Sequence, residues 1–151
     1  MRLRWDGPEI VIALSARERE LLGQVGLLLD GAGRHATDPA HTVIDRMAHP
    51  DDERLSAEFS DLVREELELQ RGSDRAVLAA IADGDSRITR EEAIAAMRAI
   101  NEARLVLAAR SGLFDVGPGW EERVGDRPEF AAVAWLASVQ SAFLGALGSR
   151  G

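Results

Sequence analysis

Asn101, Arg104 and Gln140 are polar side chains set in apolar helical faces, which makes them the first residues to ask for chemistry. A guanidinium taken out of water needs a carboxylate and further acceptors, or it destabilises the fold. Glu65 or Glu66 on a neighbouring helix could serve Arg104, and Asn101 could join it from three positions earlier. Two readings follow. One is a core hydrogen-bond network that fixes helix register; the other is a ligand or partner site built on Arg104. Trp5, Trp120 and Trp135 are first of all packing residues. Trp120, in the loop Gly117-Pro118-Gly119-Trp120, is expected to be the exposed anchor for a partner, with Trp5 a second contact.

Other constellations fail on spacing. Ile81 to Glu92, IADGDSRITREE, places acids at several calcium-loop positions. It has Ile81 where the leading carboxylate belongs and Ser86 where the turn glycine belongs. Thr89 and Glu92 read better as a capping box. His41, Asp45 and His49 recur every four residues, but the outer two lie about 12 Å apart along a straight helix, too far to share one ion. No Gly-x-Ser-x-Gly, phosphate loop or dinucleotide fingerprint is present. The residues therefore give no enzyme, no cofactor and no metal.

The element that positions Asn101 and Arg104 is the stretch Thr89–Gly112. Its capping box opens a helix and Gly112 closes it with the left-handed conformation a helix end favours. Ala93, Ile94, Met97, Ile100, Leu105, Leu107 and Ala108 form its apolar face, with Arg104 near the middle. Residues 1–14 read as a β-hairpin around Asp6-Gly7, with Pro8 arguing for an edge or loop rather than a tight two-residue turn. Ser15 and Glu18 cap a helix from Ala16 to about Asp30, carrying Leu21, Leu22, Val25, Leu28 and Leu29 inward. Asp38-Pro39 starts a short helix from Ala40 to Ala48, followed by the acidic loop Asp51, Asp52 and Glu53. A helix from about Ser56 to Gln70 turns Phe59, Leu62, Val63 and Leu67 inward. Gly72-Ser73 should break it before a shorter helix, Asp74 to Asp83, and residues 84–87 connect onward. Asp126, Pro128 and Glu129 should cap a last helix running to about Leu147. That helix is apolar nearly all round and is expected to be the most buried. Its small face, Ala131, Ala134, Ser138, Ala142 and Gly145, suits a close helix neighbour, in this chain or in a homodimer.

The 151 residues suffice for one ordinary core, giving a single-domain, mainly α bundle of five to six helices with a small N-terminal hairpin. Hydrophobic residues are 46%, which excludes a disordered chain, and the charge of −8 disfavours direct DNA binding. The chain has no cysteine, hence no disulfide or thiolate chemistry. Neither a signal peptide nor an apolar stretch near the ~20 residues of a membrane span stands out, so a cytoplasmic protein is expected.

Ala99-Ile-Asn-Glu-Ala-Arg-Leu-Val-Leu107 resembles the N-D-L-R-L-x-L-G helix of an actinobacterial family first described as a domain of unknown function and now named for the oxidative-stress regulator AosR. Trp135-Leu136 with Gln140 and Leu144, then Gly148-Ser-Arg150, resembles that family's terminal W-L-x-x-x-Q-E-x-L helix. Ala13 to Leu22 resembles its first helix. The resemblance implies a non-enzymatic regulator that contacts an alternative sigma factor or RNA polymerase in redox stress, encoded near the ClpS adaptor and cysteine-biosynthesis genes. A Clp-associated adaptor or a general helical interaction module is the alternative. The family's thiol sensing rests on an N-terminal cysteine pair, which this chain lacks. Because Asn101 and Arg104 coincide with packing-type motifs, they are expected to hold the core, with the working surface elsewhere.

Overall fold

The computed structural model describes residues 1–35, 37–48, 57–125 and 127–149, the side chains of 45–48 and 57–60 excepted. Strands β1 (Arg2–Asp6) and β2 (Glu9–Ala13) pair antiparallel with Asp6 opposite Glu9, leaving Gly7 and Pro8 alone at the bend. This is the tight two-residue hairpin that Pro8 had argued against. Gly7 takes φ +64, as the first central residue of a primed turn must, and the N–H that Pro8 lacks falls in the bend rather than on the ladder. The connector after Asp83 adds a third strand, β3 (Arg87–Ile88), beside β2. Alternation then turns Ile10, Ile12 and Ile88 into the core. It leaves Arg87 outside, on Asp6 (2.7 Å) and Glu9 (3.1 Å).

The remainder is mainly α. Helix α1 (Ala16–Gly31) opens with the full Ser15–Glu18 capping box and buries Leu22, Val25 and Leu29. Helix α2 (Ala40–Ala48) begins where Asp38 Oδ1 accepts from the Ala40 N–H at 3.0 Å. Of the His41, Asp45 and His49 repeat whose spacing argues against a metal face, the Asp45 side chain and His49 lie outside the described residues, as does the loop Asp51, Asp52 and Glu53.

Helix α3 (Ala57–Asp83) is one helix of 27 residues, not two. A single interior glycine costs a helix only about 1 kcal/mol against alanine, and the packing of α3 along α1 and α4 overrides it. The Phe59 side chain lies outside the described set. Val63 and Leu67 are half-buried, whereas Leu62, expected inside, is 64% exposed because this end of α3 reaches past the core.

Helix α4 (Arg90–Ser111) carries the expected Thr89–Glu92 capping box and ends on Gly112 at φ +71. It is the axis of the molecule, touching α1, α2, α3, α6, the short α5 (Leu113–Val116) and β2. Its deepest residues are mostly alanines, Ala93, Ala96, Ala99 and Ala103, together with Ile100 and Val106. Small side chains let several neighbours approach at once, which a face drawn through the larger residues does not capture.

After a 3-10 turn at Trp120–Arg123, helix α6 (Pro128–Gly148) packs along α4 and against β1. Arg127 occupies its cap position without a side-chain cap bond, and Asp126 lies outside the described residues. The helix buries Phe130, Val133, Leu136, Val139, Phe143 and Ala146 on one side. Ala131, Ser138 and Gly145 are exposed, and so is Leu144. The most buried helix is thus α4, not α6, which lies at the edge of the bundle. By length and composition α6 could cross a membrane, with 21 residues and mean hydropathy 1.7, contrary to the expectation that no stretch comes near. The low charge comes from alanine, serine and glycine on its outer side, and its inner side lies on α4.

Candidate functional site

The polar residues of α4 and α6 meet as expected. Arg104 Nη1 donates to Gln140 Oε1 at 2.8 Å, and Gln140 Nε2 donates to Asn101 Oδ1 at 3.5 Å. One amide thus bridges two residues a turn apart on the neighbouring helix. The carboxylate proposed for Arg104 is not Glu65 or Glu66, both exposed on α3. Arg104 is half-buried rather than enclosed, so water can complete its shell.

Two further pairs tie α3 to α4, and sequence reasoning missed both. Arg98 grips Asp74 through Nε (2.8 Å) and Nη2 (2.7 Å). Asp74 is 4% exposed. The pair raises the affinity of Arg98 for its proton, first through the hydrogen bonds and then against the opposing effect of burial. Arg75 Nη2 meets Glu102 Oε1 at 2.5 Å, with the Glu102 side chain 2% exposed and Arg75 24%. The missed signal was the alanine row itself: Glu102 lies between Ala99 and Ala103, on a face that no solvated acid should occupy.

These pairs border a cleft of about 420 Å³ where α3, α4 and α6 converge, lined by Leu67, Arg71, Asp74, Met97, Arg98, Asn101, Glu102 and Gln140. Within it, Arg71 is the exception. Its Nε and Nη1 are buried and have no hydrogen-bond partner among the described residues.

A second concavity, about 560 Å³, opens between α2, the end of α4 and α5. Pro39, Val43, Leu105, Ala109 and Phe114 make it mainly apolar, and Thr42 and Asp115 line it with polar groups. Phe114 is 56% exposed. Asp38 braces this region: its Oδ1 accepts from Ala40 N and Arg110 Nε, its Oδ2 from Gly33 N and Arg110 Nη2. The Arg110 hydrogen bonds, then the Gly33 N–H, hold its carboxyl well below the usual carboxylate range.

The tryptophans lie elsewhere. Trp120 is half-buried, edge-on to Phe130 at 6.3 Å and 82°, in a satellite cluster with Leu113 and Val133. Trp5 donates from Nε1 to the Ala146 carbonyl at 2.8 Å and packs on the main core. The exposed aromatic of the Trp120 region is Phe114. In the former calcium-loop candidate, Glu92 is engaged by the Thr89 N–H at 2.7 Å. Among the described residues no three His, Asp or Glu side chains are grouped to hold a metal ion.

No curated protein and no solved structure matches the chain. The family model described as a domain of unknown function, DUF2017, matches residues 1–147, and the chain belongs to that family.

Proposed function

We propose that the chain is a non-enzymatic regulator that acts by contact with a protein of the transcription machinery, RNA polymerase or one of its sigma factors. The observation that carries this reading is the α2–α4–α5 groove, an apolar concavity with the exposed Phe114 at its edge. Exposed apolar patches of this kind on a charged protein are suited to protein contact, and an aromatic at the edge of a pocket suits an anchoring role. The net charge of −8 favours a basic partner surface and speeds encounter with it. The resemblance of the α4 and α6 motifs to the oxidative-stress regulators named for AosR supports a transcriptional setting in the cytoplasm. Lacking cysteine, this chain would receive its signal by a route other than its own thiols.

Co-purification from native cells tests the proposal. A tagged chain should retain polymerase components, and Phe114→Asp should release them. Recovery of Clp-protease components in their place would support the adaptor reading. Recovery of neither under several growth conditions would end the regulatory one.

A further inference from the structure

We propose that the cleft between α3, α4 and α6 binds a small oxyanion, a phosphate or carboxylate carried on a compact molecule, with Arg71 as its anchor. The starting point is charge accounting within the cleft. Asp74 is taken by both arms of Arg98, and Glu102 by Arg75. Among the described residues, no carboxylate pairs with Arg71, whose Nε and Nη1 are nevertheless buried without an acceptor. Arg71 is half-buried, but leaving two of its N–H-bearing nitrogens out of water with no acceptor is costly, and an anion in the adjoining space relieves that cost directly.

The surroundings suit an oxyanion. Asn101 uses its Oδ1 on Gln140, and its amide nitrogen, with no acceptor among the described residues, provides a neutral donor on the α4 wall. Leu67 and Met97 supply apolar wall for whatever carries the anionic group. At about 420 Å³, the cleft lies within the size range of small-molecule sites. Guanidinium favours planar carboxylate and tetrahedral phosphate because its N–H groups match their oxygens. The site lies apart from the α2–α4–α5 groove and does not depend on the function proposed for it.

The test is titration of the full chain with inorganic phosphate and, separately, succinate, at ionic strength held constant with sodium chloride. Thermal unfolding and the arginine Nε–H resonances are followed together. The expected result is a saturable rise in Tm, with movement of the Arg71 Nε–H signal. A response to phosphate alone assigns a phosphoryl ligand, and a response to succinate alone a carboxylate. Arg71→Met should weaken apparent affinity by on the order of tenfold or more, while Arg87→Gln on the distant sheet should respond like the unaltered chain. If Arg71→Met does not fold, the resonance measurement on the unaltered chain decides alone. The proposal is overturned if neither anion exceeds chloride, or if Arg71→Met responds as the unaltered chain does.

Discussion

Arg104 and Gln140 are joined at 2.8 Å across the α4–α6 contact, and the same glutamine reaches Asn101 at 3.5 Å. This bridge sets the register of the two helices, since sliding α6 by one residue would swing the amide away from both partners. Gln140→Ala should therefore lower stability by about 1–2 kcal/mol, the cost of leaving a half-buried donor and acceptor unmet. The paired change Arg104→Met with Gln140→Leu should cost less than the sum of the single changes, because it removes both needs together. Urea denaturation of Gln140→Ala measures the first cost, and of Arg104→Met, Gln140→Leu and the pair the coupling.

The Arg75–Glu102 pair is unequal, and its two halves should fail unequally. Arg75→Met strands a carboxylate that is 2% exposed, and should cost about 3–5 kcal/mol. Glu102→Gln keeps the volume and leaves Arg75, 24% exposed, with access to water. It should cost about 1–2 kcal/mol. Equal losses in denaturant titrations would contradict this asymmetry.

Much of this was legible in the residues, and the omissions have a common cause. Both capping boxes and the hairpin follow from spacing within a few residues, and Arg104 and Gln140 stand out as polar residues on apolar helical faces. The unbroken α3 does not. Gly72 and Ser73 look like a breaker until the packing of α1 and α4 along the whole helix is known. Glu102, Asp74, Arg75 and Arg98 were passed over as surface charges because their partners lie 24 or 27 positions away on another helix. Phe114 was missed for the opposite reason, as its exposure depends on how α5 turns off the end of α4.

Acid should find the weak point at Asp38. Its folded pKa lies below the unfolded value of about 3.9; the cause is chiefly the hydrogen bonds from Arg110. The stabilisation is thus fully present above that unfolded value and is lost as pH falls through the folded one. At neutral pH Asp38→Asn should cost about 1–3 kcal/mol, the range for charge-assisted hydrogen bonds. The gap between variant and unaltered chain should narrow as pH drops below about 4. Denaturant titrations at pH 7 and pH 3 check both parts.

Two glycines with room for a Cβ should respond with opposite signs because their backbones differ. Gly112 sits at φ +71, and a Cβ there would meet only Asp115 Oδ2 at 3.8 Å, so backbone strain decides. Gly112→Ala should destabilise by about 1 kcal/mol. Gly72 lies inside α3, where a Cβ would meet nothing within 4 Å. Gly72→Ala should stabilise by about 0.5–1 kcal/mol through helix propensity and a less free unfolded chain. Thermal unfolding of the two variants gives the comparison.

The claim that the α2–α4–α5 groove is the working surface is tested most directly by a photoreactive amino acid placed at position 114 in living cells. The account predicts a crosslink to an RNA polymerase subunit or sigma factor, absent when the same group replaces exposed Leu27 on α1. Equal crosslinking at both positions, or none to polymerase components at position 114, would contradict it.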